Sequence, residues 1–473
     1  MLRKRGTFTW SVIMVCIRNV LAGLFLSLTA ASFSWAGILP NEGRDLVPPA
    51  VFRSMQNYML EKRFDGWLFS GSGHFDDPER EFLGLEGKTR YRWFIFYPAI
   101  ATHKYPWLIY HKADEHVFSG LRFYPLPYRS RSEMLRLFRE SLFPVARKIC
   151  ANYSSEMSIP GLSSADSGML EWLEANGVEV ISSGSILSFF NTRWRVSDIE
   201  THSQAAARLD SILPEAVSYL EGRIRRGRKV TDYGLAKFLR KGLKKLGLEP
   251  VARPVVAAGP RTLEERWKPE SHSWLDAEPL AYGDIVYIEL SARLRKRAGS
   301  SRPMHARLGW SLYIGEEVPD SLTESWERIT AAADKAIHTL GFYIPKGLVL
   351  HGFQVDSKAR AELGRGPDIL PRPLGFNLNP HSHRFGVRFD NYYAKDDREI
   401  MPGMGFTLEP GIFRENYALR MCANVVIDGS RGVRVFPASS QSRLIPVLGP
   451  AESGPCEEGL LAVFMRYVRE FFI

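Results

Sequence analysis

The chain has 473 residues, enough for two or three domains of ~100–200 residues each. Hydrophobic residues make up 45% and charged residues 24%, which excludes a disordered, collagen-like or disulfide-knot protein, and no apolar run of spanning length lies beyond the first forty residues, which excludes a polytopic membrane protein. Sixty-two basic against 52 acidic residues give +10, or +6 once Arg3, Lys4, Arg5 and Arg18 of a signal-like start are set aside; read as a modest excess scattered over the chain, this does not point to nucleic acid.

The first segment has a basic start, an apolar run from Leu21 to Phe33, and small residues at Ser34 and Ala36 before Gly37. That is the layout of a secretory signal, so residues 1–36 are expected to be removed. The mature chain is then exported, to the periplasm or beyond, with no stable membrane span. Met14 is an alternative start, and an uncleaved anchor is the competing reading. Cleavage removes Cys16 and leaves Cys150, Cys422 and Cys456, an odd number that keeps at least one thiol free; Cys150 with Cys456 is the pairing considered.

Residues 37–192 alternate short apolar runs with helical stretches. Gly66–Ser70, Arg92–Tyr97 and Pro106–Tyr110 predict buried strands. Ser164–Asn176 predicts a helix, with the strand Val178–Ile181 after it. Strands separated by helices predict an α/β domain. No glycine fingerprint or phosphate-binding loop follows any of these strands, so nothing points to a nucleotide.

Arg193–Ile199 reads as a linker into a region of different texture, residues 193–448. From Gln204, the residues Leu209, Ile212, Ala216, Leu220 and Ile224 recur at helical spacing. Thr231 suits the cap of a second helix, which Gly247 would stop, and a third helix fits Ser321–Leu340. Asp284–Leu290, Trp310–Ile314, Gly405–Leu408 and Asn424–Ile427 predict strands, which makes this an α+β domain. Residues 449–473 form a tail with one amphipathic helix, read as a lid or dimer contact.

Glu289 stands within the otherwise apolar strand Asp284–Leu290, and Glu409 ends the run Gly405–Leu408 before a turn. A buried carboxylate needs a cation, a metal or hydrogen-bond donors. His383, in Pro380–Gly386, is a third candidate, and a histidine with two carboxylates from separate strands can hold a metal. Taken singly, each of the three is more readily a structural residue, and the arginines between Arg293 and Arg307 offer Glu289 an ordinary ion pair.

The order and spacing of four segments resemble the pita-bread family of methionine aminopeptidases, prolidases, aminopeptidases P and creatinases. They are Arg195–Glu200, Gly283–Ile288, Ser382–Gly386 and Pro402–Phe413. The resemblance runs from about Arg195 to Ile445, and residues 37–192 resemble the creatinase/prolidase N-terminal domain. It implies an α+β pita-bread domain preceded by an α/β domain. It also implies that His272, seventeen residues before Glu289, binds substrate or acts as acid and base, and that His383 binds substrate. The family's two-metal site uses two Asp, one His and two Glu. On that pattern Glu289 replaces the first Asp, while His383 and Glu409 are retained. The second Asp falls near Arg307, and the final Glu is replaced by Cys422.

Arg307 and Cys422 thus occupy the positions of the two bridging carboxylates, which hold two cations about 3.5 Å apart. The expected cofactor content is none or one divalent ion rather than two. A rebuilt single site can draw on His383, Glu409 and Cys422, or on Glu289 and His305. Without metal, the buried carboxylates need Arg307, Arg420 or His383 as partners. The reading is an exported aminopeptidase P- or prolidase-like homologue, atypical or inactive, which binds a peptide or protein in its cleft. The alternative is a hydrolase of peptides or small amides with one metal or none, as in creatinase, in which His272 and Glu409 are the catalytic pair. Dimers are usual in the resembled families, so a homodimer is open.

Overall fold

The computed structural model describes residues 42–449, apart from 72–84, 86, 101, 160, 265–266, 273, 297–302, 365–369, 380–384, 430–431 and 438–440. The signal-like segment, the C-terminal tail beyond 449, Cys16, Cys456 and His383 lie outside the described residues. The chain divides into two compact units, one of residues up to 155 with 162–186, the other of 156–161 with 187 onward. No helix among the described residues is long and apolar enough to cross a membrane.

The first unit opens with a short strand, Arg44–Asp45, paired with Leu121–Arg122, and helix α1 (Pro49–Glu61) follows. Its strands are β1 (Gly66–Gly71), β2 (Trp93–Pro98), β3 (Trp107–His111) and β4 (Tyr124–Tyr128), followed by helix α2 (Arg131–Leu137) and strand β5 (Lys148–Ala151). Helix α3 (Ser167–Ala175) and strand β6 (Glu179–Ser182) complete it, and α4 (Gly184–Thr192) leads into the second unit. The six strands form one sheet in the order β4-β3-β2-β1-β5-β6. Only β2 runs against its neighbours. Every residue of β2 is buried, as continuous apolar strands must be when both faces of a sheet are covered. One covered face contains Phe94, Phe96, Trp107, Ile149 and, from the helical layer, Phe138 and Leu173. This is the α/β unit expected from the sequence. Cys150 is buried in β5 as a free thiol.

The second unit opens with α5 (Val196–Asp210), α6 (Ile212–Ile224) and α7 (Asp232–Lys245). Helix therefore begins inside the stretch Arg193–Ile199 that reads as a linker, because the Asp198 carboxylate accepts the Arg195 N–H (2.8 Å) and closes the first turn. Thr231 does cap α7, its Oγ1 accepting the Gly234 N–H at 3.1 Å. Strands β7 (Leu248–Pro250), β8 (Val255–Ala258), β9 (Ile285–Leu294) and β10 (His305–Tyr313) follow. Next come α8 (Asp320–Tyr343), α9 (Gly352–Leu363) and the short pair β11 (Gly375–Phe376) and β12 (Arg388–Phe389). The last strands are β13 (Gly405–Leu408), β14 (Gly411–Phe413), β15 (Ala418–Arg420), β16 (Ala423–Asp428), β17 (Gly432–Phe436) and β18 (Ile445–Pro446).

One sheet has the order β8-β9-β10-β18, with β7 paired to the far end of β9, and a second has the order β13-β16-β17. An isolated antiparallel bridge between Gly309 and Cys422 ties β10 to the residue before β16. Strands β14 and β15 pair with each other; β15 packs against β9 and β10, and β10 also packs against β16. The α+β arrangement is the one expected. One expectation fails: the basic excess is not scattered. Residues 223–245 hold ten basic residues and one acid, leaving 52 basic and 51 acidic residues for the other 450.

Candidate functional site: an arginine clamped by two buried carboxylates

Glu289 lies near the middle of β9, paired across the ladder with Val255 on one side and Gly309 on the other. It is buried, and so is Glu409, just past the end of β13. Arg307 rises from β10 between them. Its Nε donates to Glu289 Oε1 at 2.8 Å and its Nη2 to Glu289 Oε2 at 2.9 Å. Its Nη1 lies 3.0 Å from Glu409 Oε1. Arg372 approaches Glu409 from the far side, Nη2 to Oε2 at 2.9 Å. Tyr287, two residues before Glu289 on the same face of β9, donates its hydroxyl to Glu289 Oε2 at 3.0 Å. The guanidinium of Arg420 lies over the Tyr287 ring, 4.0 Å from its centroid. Two carboxylates and three guanidiniums thus share one buried cluster.

The charges fix one another. Burial alone would raise the Glu289 carboxyl, but the Arg307 guanidinium outweighs it and draws the pKa down to about 2. Arg307 itself would be lowered by burial; the charges of Glu289 and Glu409 push it well above its usual value. Burial, then the Glu409 charge, raises the Cys422 thiol well above its usual range. That thiol donates to the Arg307 carbonyl at 3.3 Å. The backbone of Arg307 is held by Asn424 as well, which accepts the Arg307 N–H at 3.0 Å and donates to its carbonyl at 2.5 Å. The arginine is therefore fixed at both ends, its main chain by Cys422 and Asn424 and its head by the carboxylates.

The remaining candidates stand apart. His272 is exposed, stacked on Trp267 with ring centroids 4.2 Å apart, and makes no hydrogen bond to Glu289, Arg307 or Glu409. His305 pairs with Arg293, whereas Glu289 pairs with Gly309. The offset is four residues, about 13 Å along the strand, so the proposed Glu289–His305 metal pair does not form. Burial, followed by the Arg307 charge, lowers His305 to about 4, so it is neutral at pH 7. His383 lies outside the described residues. Arg372, Tyr287 and Asn424 belong to the cluster but were missed in the sequence. Asn424 carries a usable signal, because it stands two residues after Cys422 and so shares its face of the chain; Arg372 carries none.

The residues present do not fit a two-metal centre. The space between Glu289 and Glu409 is filled by a guanidinium, which already neutralises both carboxylates, and the third donor position is a protonated thiol. Among the described residues no three His, Cys, Asp or Glu side chains converge as a metal site.

The profile of metallopeptidase family M24 matches residues 200–435. The chain belongs to this pita-bread metallopeptidase family. Among solved structures it is similar to the dipeptidase PepE of Mycobacterium ulcerans, with a TM-score of 0.51 at 16% identity over 86% of this chain and 100% of that one. It is also similar to the N-terminal domain of the FACT complex subunit SPT16 of chickpea, with a TM-score of 0.48 at 12% identity over 84% of this chain and 98% of that one. A Xaa-Pro dipeptidase of Bacillus anthracis gives 0.45 at 15% identity over 84% of this chain and 100% of that one. At such identities the likeness to the dipeptidase is one of fold, a pita-bread domain preceded by an α/β domain. No curated protein matches the chain.

Proposed function

We propose that this protein is an exported pita-bread homologue in which an arginine stands in for the metal pair, and that it binds a peptide or protein segment in its cleft without two-metal hydrolysis. The observation that carries this reading is the position of Arg307, which makes three short contacts to the two carboxylates. Two divalent ions placed there would add four positive charges to a cluster that already has more cations than anions. Arg307 would have to leave, and a buried guanidinium without its carboxylates is strongly disfavoured.

The test is metal content. Elemental measurement and calorimetry with manganese, cobalt or zinc should give fewer than two ions per chain. The double variant Arg307→Asp with Cys422→Glu should raise metal affinity far more than either single change, because each bridge needs the other. Two ions bound by the parent chain, or a double variant that binds no more than the parent, would defeat the proposal.

One observation favours a second reading, metal-independent hydrolysis. The His272 imidazole is exposed and held by the Trp267 stack, so it is available to a ligand as acid or base. Turnover of Xaa-Pro dipeptides in the presence of a chelator, lost in His272→Ala, would support that reading. Absence of turnover with retained peptide binding supports the binding protein.

A further inference from the structure

Residues 223–245, the end of α6, the turn and α7, carry a net +9 of the chain's +10. Arg225, Arg226, Arg228 and Lys229 are exposed in the turn between the helices. Lys237, Arg240, Lys241, Lys244 and Lys245 are exposed along α7 at i, i+3, i+4, i+7 and i+8. These five share one face of a helix about 21 Å long. The opposite face, with Leu235, Ala236, Leu239 and Leu243, is buried in the core, so the cationic face is locked outward. Two of the nine exposed cations are neutralised, Arg225 by Glu221 at 2.8 Å and Arg240 by Glu270 at 3.0 Å. The other seven make no ion pair with a carboxylate among the described residues.

The neighbourhood narrows the partner. Single-stranded nucleic acid is gripped by aromatic platforms set between the cations, but here the aromatics are engaged within the hairpin. Tyr219 and Phe238 stack on each other at 4.3 Å, and Lys237 covers Tyr233 at 5.0 Å. What lies beside the cations instead is an apolar tip. The short helix Pro269–Ser271 is tied to α7 by the Arg240–Glu270 pair, and the next one, Trp274–Asp276, presents Trp274 and Leu275, 68% and 72% exposed. A bank of lysine and arginine with an exposed tryptophan and leucine next to it is the make-up of a lipid interface, where charge meets the headgroups and the indole sits among them.

We propose that the α6–α7 hairpin and the Trp274–Leu275 tip dock this protein on an anionic phospholipid surface. Attachment is peripheral, because the apolar face of α7 is committed to the core and the tip presents two exposed apolar side chains, Trp274 and Leu275, to the headgroup layer. The hairpin is independent of the arginine cluster, so the proposal stands or falls apart from the reading of the cleft.

Co-sedimentation of the full chain with vesicles tests it. Binding is expected on phosphatidylcholine vesicles containing roughly one-third phosphatidylglycerol, much weaker on phosphatidylcholine alone, and largely reversed by about 0.5 M salt. The variant Lys237→Glu, Lys241→Glu, Lys244→Glu, Lys245→Glu should bind at least about tenfold less, with an unchanged unfolding midpoint because all four side chains are exposed. The variant Trp274→Ser, Leu275→Ser should lose several-fold on the same vesicles and keep the salt dependence. Both variants retain the N-terminal apolar segment, so any difference from the parent belongs to the hairpin and tip. Equal binding by parent and charge variant would overturn the proposal. So would tighter retention on duplex DNA than on anionic vesicles at the same salt.

Discussion

Arg307 is held by two contacts to Glu289 and one short contact to Glu409, all in a buried setting. Removing one partner of such a group leaves uncompensated charge and costs about 3–5 kcal/mol. Arg307→Met should therefore lower the unfolding free energy by that order in urea titrations at pH 7. The pH dependence has a definite sign. The folded-state pKa of Glu289 is depressed to about 2 from an ordinary value of 4.5, so its ionised form stabilises the fold. That stabilisation, on the order of 3 kcal/mol, is fully present above about pH 4.5 and is lost as pH falls towards 2. In Arg307→Met the acid limb should flatten or invert, since Glu289 then gains from protonation. An unchanged slope between pH 4.5 and 2 in the variant would show that Arg307 does not hold the carboxylate.

At the scale of elements, the cluster depends on the register of β9 against β10. Glu289 is opposite Gly309, and Arg307 is opposite Ser291, two residues further along both strands. From that diagonal position the long arginine side chain reaches back to the carboxylate. Gly309 leaves room for Tyr287: a Cβ there would collide with the Tyr287 hydroxyl and lie 3.1 Å from Cys422 Cβ. Gly309→Ala should cost about 1–3 kcal/mol as overpacking. Adding Tyr287→Phe should recover part of the loss, because the colliding hydroxyl is gone. Thermal unfolding of both variants checks this, and no recovery in the double variant would place the clash elsewhere.

For the whole molecule, export is the part of the proposed function that rests on the sequence alone. Ser34 and Ala36 follow an apolar run that is short for a span. The exported protein is expected to begin at or near Gly37, and N-terminal sequencing decides it. Residues 14–36 recovered intact in a membrane fraction would make the protein anchored. Peripheral attachment through α7 would then act beside an anchor rather than in place of one.

The architecture is legible in the sequence. Apolar runs at Gly66–Gly71, Trp93–Pro98 and Trp107–His111, and the helical spacing from Leu209 to Ile224, encode local structure through periodicity, which needs no knowledge of distant partners. The run Gly405 to Phe413 with Glu409 carried the family in the same local way. Which charges meet is set by the folded arrangement of the strands. Glu289, Arg307, Arg372 and Glu409 span 120 residues, and the sequence offered several arginines for Glu289. The strand register chose Arg307. Arg372 stands outside every strand, and nothing around it in sequence marks it as buried. Ion pairing depends on angstrom-scale distance in a dry interior, and that distance exists only after the sheets have closed on each other.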